Sequence, residues 1–131
     1  LGKENFREKY LICAATQEDI PKLVGMRLKL QKHMEQANSL ILRYTDEWRN
    51  ELPSLYNELL KNSDVVVLKA ASKQDGEVIG MMVGTIHEHS HFTMEKSAKI
   101  NDVWVDNEYR QKGICSQMLS YLLDRLTEKL Y

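Results

Sequence analysis

Apolar residues recur along the chain with two periods, and each change of period marks a new element. Tyr10 to Ala15 (YLICAA) has the composition of a strand. Thr16 follows as a hydroxyl cap with the Asp19 carboxylate three residues on, a capping-box pattern that opens a helix. Ile20, Leu23, Val24, Leu28, Leu30 and Met34 then recur at spacings of a helical face. Pro21 is admissible because it falls in the first turns, whereas Gly25 costs about 1 kcal/mol relative to Ala and softens the helix limits. A second helical pattern follows Thr45 through Trp48, Leu52, Leu55, Tyr56, Leu59 and Leu60. Pro53 interrupts it and predicts either a kink or a new helix beginning there.

The period then becomes strand-like. Val65 to Ala71 (VVVLKAA), a Ser-Lys-Gln-Asp-Gly turn and Val78 to His87 (VIGMMVGTIH) predict a hairpin around Asp75-Gly76. Ser90 to Lys96 is polar and reads as a connection, and Lys99 to Val105 (KINDVWV) as another strand. Ile114, Met118, Leu119, Leu122, Leu123, Leu126 and Leu130 form the cleanest helical stripe in the chain. The predicted order is β, α, α, β, β, β, α, a mixed α/β (α+β) domain over residues 10–131 behind a charged lead-in at 1–9. No internal repeat or linker divides it.

Composition narrows the partners. A chain of 131 residues with 43% apolar content fits one domain with a buried core and excludes disordered and collagen-like classes. Eighteen Lys plus Arg against nineteen Asp plus Glu leave a net charge of -1, so no global field draws the protein to nucleic acid or an anionic membrane. Any anion site must be local. The longest mostly apolar run, Val78 to Ile86, falls far short of the roughly 20 residues that span a bilayer. Cys13 and Cys115 lie far apart with no metal-binding spacing, which reads as a reduced inventory and predicts a cytoplasmic protein. His87, His89 and His91 alternate, so an extended strand would align three imidazoles. No second segment or carboxylate closes a zinc site around them, and the polar-loop reading is preferred; no metal is predicted.

Chemistry concentrates between Lys99 and Leu122, where a strand runs through a tight turn into the amphipathic helix. The first N–H groups of a helix have no internal partner, and the aligned peptide dipoles concentrate positive charge at the same end. Gly113 lets the backbone approach a ligand, Cys115 is small, and Arg110 and Lys112 add positive charge. Basic residues at a helix start oppose the dipole, so a bound phosphate that offsets both is the simplest account. An ordinary turn flanked by solvated basic residues is the alternative. Along the preceding strand, alternation puts Ile100, Asp102 and Trp104 on one face and Asn101, Val103 and Val105 on the other. The apolar flanks make Asp102 a candidate general base, with a structural Asp paired to the turn as the rival reading.

Arg110-Gln111-Lys112-Gly113-Ile114-Cys115 resembles the R/Q-x-x-G-x-G/A turn of the GNAT superfamily of acyl-CoA N-acyltransferases. As in that family, Val103-Trp104-Val105 and Tyr109 precede it, Ala15-Thr16 and Asp19 follow the first strand, and Val78-Ile79-Gly80 opens the hairpin's second strand. Cys115 stands where the family usually has Gly or Ala. The resemblance covers Tyr10 to Tyr131 and implies a GNAT fold. It also implies acetyl-CoA as co-substrate, held by Val103, Trp104, Val105, Arg110, Gln111, Lys112, Gly113, Ile114, Cys115 and Ser116. The implied reaction is direct attack of a primary amine, on a small molecule or a peptide, on the thioester. Asp102 is the candidate base, and backbone N–H groups near Val103 to Val105 polarise the thioester oxygen.

His33 falls in the region that shapes the acceptor pocket in relatives, and reads equally as an exposed helix end. Relatives continue past this helix with a strand that splays from the VWV strand and a helix that carries the usual acid. The domain is therefore expected to be truncated, or completed by another chain through a homodimer or an exchanged strand. A non-catalytic acyl-CoA-binding or regulatory module of the same fold is the alternative function. An unrelated nucleotide-binding domain is disfavoured, because the chain has neither GxxxxGK[ST] nor GxGxxG.

Overall fold

A computed structural model describes residues 9–38, 40, 43–88 and 96–130; most of the lead-in and the connection at 89–95, with His89 and His91, lie outside them. The elements are β1 (Tyr10–Ala14), α1 (Ile20–Ala37), α2 (Asp46–Lys61), β2 (Val65–Ser72), β3 (Val78–Glu88), β4 (Lys96–Val105) and α3 (Ile114–Leu130). This is the order expected from the hydrophobic pattern. Short 3-10 turns at Gln17–Asp19 and Asn107–Tyr109 lead into α1 and towards α3. The strands form one antiparallel sheet in the order β1-β2-β3-β4.

Two helical layers sandwich that sheet. On one face α3 brings Ile114, Met118, Leu122 and Leu126 onto Val66, Leu68, Ala70 and Met82. On the other, Leu23 and Met26 of α1 with Leu52 and Tyr56 of α2 cover Val67, Met81 and Val83. β3 is thus buried from both sides, and this is why its sequence is an unbroken apolar run instead of an alternation. Gly84 belongs to the α3 side, where a Cβ would come within 3.0 Å of two Leu122 methyl carbons. The missing side chain lets the helix lie close to the sheet.

The starts of α1 and α2 are chemically fixed. The Thr16 backbone N–H donates to Asp19 Oδ2 at 2.8 Å, and its hydroxyl donates to the same oxygen at 3.2 Å. Lys69 Nζ on β2 lies 2.9 Å from that oxygen, tying the entrance of α1 to the sheet. Burial alone would raise the Asp19 pKa, but the Thr16 N–H and Lys69 outweigh it and hold the carboxyl below its ordinary value. Thr45 Oγ1 caps α2 by accepting from Trp48 N–H at 3.3 Å. Pro53 neither ends that helix nor begins another: α2 runs through it, and the residue is exposed, where water can take up the carbonyl freed by the missing N–H.

The faces of β4 differ from simple alternation. Val83 pairs with Asp102 and Gly84 with Ile100, so Asn101 is an extra residue in a bulge. Its amide donates to Thr85 Oγ1 at 3.1 Å. The bulge removes Ile100 from the Asp102 face and puts it opposite Gly84, 40% exposed. Asp102 therefore lacks one of the apolar flanks expected for it and instead joins a polar clasp. Arg27 Nε of α1 lies 3.5 Å from its Oδ1, and the buried Tyr56 hydroxyl of α2 donates to its Oδ2 at 3.4 Å. Arg27 also donates to Gln31 Oε1 at 3.3 Å and lies 5.2 Å from the Trp48 ring centroid. Burial, with the Asp102 charge beside it, raises the Tyr56 pKa far above its ordinary value, so the phenol stays a donor.

Two stability outcomes follow from these pairs. The Asp19 carboxyl binds protons less readily folded than unfolded, so its contribution is present above about pH 4 and is lost as pH falls through the lowered folded value. Asp19→Asn should cost about 1–3 kcal/mol in urea unfolding at pH 7, and that difference should shrink progressively as the pH is lowered below about 4. With only 12% and 22% side-chain exposure, Arg27 and Asp102 should couple. Arg27→Ala and Asp102→Asn should each destabilise by about 1–3 kcal/mol and the double variant by less than their sum; an additive cycle would remove the clasp from the argument.

Candidate active site

The sheet and α3 meet at the C-terminal end of β4. After Val105 the chain makes the 3-10 turn at Asn107–Tyr109 and a loop through Arg110 to Gly113 before α3 begins at Ile114. Two residues in that loop have left-handed backbones: Gly113 at φ 84° and Gln111 at φ 62°. For Gln111 this costs about 1–2 kcal/mol, strain of a kind that tends to cluster where a loop is shaped around a ligand. A Cβ on Gly113 would meet nothing within 4 Å, so the space beside it is open.

The amides there are available. Gln117 N–H is bonded to Gly113 O at 3.1 Å, but the N–H groups of Gly113, Ile114, Cys115 and Ser116 have no partner among the described residues. They converge at the positive end of the α3 dipole, the arrangement that accepts a phosphate group. Arg110 is held in place: its Nε donates to Val105 O at 2.9 Å and its guanidinium carbon lies 4.5 Å from the Trp104 ring centroid. Trp104 is fixed in turn by Nε1 donating to Asp106 Oδ1 at 2.9 Å. The positive charge of Arg110 is thus docked against Trp104 and the end of β4.

A cavity of about 410 Å³ connects these groups. It is lined by Val103, Trp104 and Val105 of β4, Arg110, Gln111 and Gly113 of the loop, and Ile114, Cys115 and Ser116 of α3. Nine of the ten residues assigned to the co-substrate from the sequence therefore share one cleft, within the size range of small-molecule sites. Lys112 is the tenth: it does not line the cavity, and its Nζ lies 5.7 Å from the Tyr109 ring centroid. Asp102 is not among the lining residues either, and both its oxygens are engaged in the clasp.

Three further residues line the cleft. Tyr109 projects from the turn, and Leu30 and His33 come from α1. The His33 ring meets the edge of Trp104 at 6.1 Å between centroids and 70° between planes. Nothing local in the sequence marks Leu30 for this wall, because some seventy residues separate it from the cleft residues of β4 and only folding brings them together. Cys13 and Cys115 are free thiols. Among the described residues no group of His, Cys, Asp and Glu could hold a metal ion. His87 is exposed, with Nε2 3.0 Å from Thr85 Oγ1. No described helix is long and apolar enough to cross a membrane.

Comparisons with known proteins agree with this geometry. An acetyltransferase from Vibrio fischeri superposes with a TM-score of 0.71 at 19% identity, covering 91% of this chain and 88% of that one. A predicted acetyltransferase from Clostridium acetobutylicum, solved with acetyl-CoA, gives 0.73 at 22% identity over 92% of this chain and 75% of that one. An aminoglycoside acetyltransferase from an uncultured soil metagenomic sample, in complex with sisomicin, gives 0.65 at 20% identity over 98% and 74%. At these identities the likeness establishes the fold alone. Comparison with curated proteins gives no match. The model of the acetyltransferase (GNAT) family matches residues 33–131, which include β4, the Gly113 turn and α3. With fold, turn and family model in agreement, the chain belongs to the GNAT acetyltransferase family.

Proposed function

We propose that this acetyltransferase takes its acetyl group from acetyl-CoA and passes it to a primary amine by direct attack on the thioester. The observation that carries the reading is the set of unpartnered N–H groups from Gly113 to Ser116 in the wall of a cleft that continues to Val103–Val105. The amides suit a diphosphate, and the strand backbone suits the amide-rich pantetheine arm and the thioester oxygen. Acetyl-CoA in the Clostridium acetobutylicum neighbour supports the donor. Sisomicin in the metagenomic neighbour supports an amine acceptor. The acceptor here is a small-molecule or peptide amine, and the reaction is placed in the cytoplasm. An alkylammonium is almost wholly protonated near neutrality, so it must lose a proton before its nitrogen can attack.

Calorimetric titration with acetyl-CoA tests the cleft. Gly113→Ala adds only backbone strain and should bind more weakly by less than about tenfold, while Gly113→Glu adds a carboxylate beside the diphosphate and should lose at least about a hundredfold. Equal affinity of wild type and Gly113→Glu, both folded by circular dichroism, would refute the site. Thiol release on adding amines then separates an enzyme from a binding module: acetyl-CoA bound without release favours the module.

A further inference from the structure

Resting on the acetyl-transfer reading, we infer that His33 is the catalytic base that takes the proton from the acceptor ammonium. Among the described residues, the cleft walls supply few groups able to do so. Arg110 is a permanent cation stacked on Trp104, Tyr109 is a phenol, and Cys115 lies at the start of α3 beside the free amides. Asp102, the carboxylate on β4, is turned to the clasp with Arg27 and Tyr56 and does not line the cavity. His33 does line it, with its ring 6.1 Å from that of Trp104 between centroids. It is exposed, so solvent can remove the proton it receives.

An imidazole is the side chain whose ordinary titration range allows it both to accept and to release a proton near pH 7. Its charged neighbours in sequence on α1 are Lys29, itself 3.4 Å from Asp106, Lys32 and Glu35. Tyr109, Arg110 and Cys115 face it across the cleft. In the balanced reaction the ammonium gives one proton to an imidazole nitrogen, and the freed lone pair forms the C–N bond. The C–S bond breaks with its electrons on sulfur. The second nitrogen proton neutralises the thiolate as the amide forms, and the imidazolium returns its proton to water.

The test compares two acceptors in the full chain, with thiol release as readout. n-Propylamine is protonated at pH 7 and needs a base; hydroxylamine is mostly free base there and does not. His33→Gln should lower the n-propylamine rate about a hundredfold and change the hydroxylamine rate by less than about threefold. Acetyl-CoA affinity should stay within about threefold of wild type. Asp102→Asn should lower both rates together, as a structural clasp would. Equal loss with both amines in His33→Gln, unchanged rates, or a large fall in acetyl-CoA affinity would overturn the assignment while leaving acetyl transfer standing. If the wild type binds acetyl-CoA and releases no thiol with either amine, transfer itself fails and the role of His33 falls with it.

Discussion

The organisation of this molecule depends on covering both faces of β3. A strand so placed must be apolar along its length, and where a helix approaches closely it must give up side-chain volume. Gly84 does this beneath Leu122. The resulting seat holds α3 against the sheet through Ile114, Met118 and Leu122. Its N-terminus is thereby brought to the end of β4, because only the short segment from Asp106 to Gly113 separates the two elements. The cradle of free amides is a product of that packing: the core holds the helix, and the loop before it absorbs the geometry in Gln111 and Gly113.

The opposite layer supplies the other wall. α1 contributes Leu23 and Met26 to the core, and Leu30 and His33 to the cleft. Its position over β4 is specified by charge as well as by burial. Arg27 reaches Asp102, and Lys29 reaches Asp106. A half-buried ion pair contributes modest net stability against two hydrophobic residues, but its bond geometry admits few alternative placements. Tyr56 adds a donor from α2, so the carboxylate joins three elements. Although the net charge is near zero, the cleft carries local positive charge, where Arg110 lies over Trp104 beside the α3 dipole.

What could be read without a fold was whatever depends on neighbours in sequence. The 3.6-residue stripes of α1, α2 and α3, the Thr16–Asp19 cap and the Asp75-Gly76 turn are local, and they appear where the pattern puts them. The phosphate-type turn was legible for the same reason, since β4, loop and helix start are contiguous. Departures arise where a partner from elsewhere decides the outcome. The bulge at Asn101 exists only in the register with β3, and it moved Ile100 away from Asp102. The helix runs on through Pro53 because that residue faces water.

The amino-acid sequence by itself determined the order of elements, the apolar faces of the helices and a glycine-bearing turn at the start of α3. Periodicity, capping and glycine placement act over a few residues and require no knowledge of the rest of the chain. Only the tertiary structure decided that Asp102 is held in a clasp with Arg27 and Tyr56, that Lys112 stands outside the cleft and that His33 lines it. The clasp and the place of His33 follow from the packing of α1 and α2 over β4, between segments far apart in sequence.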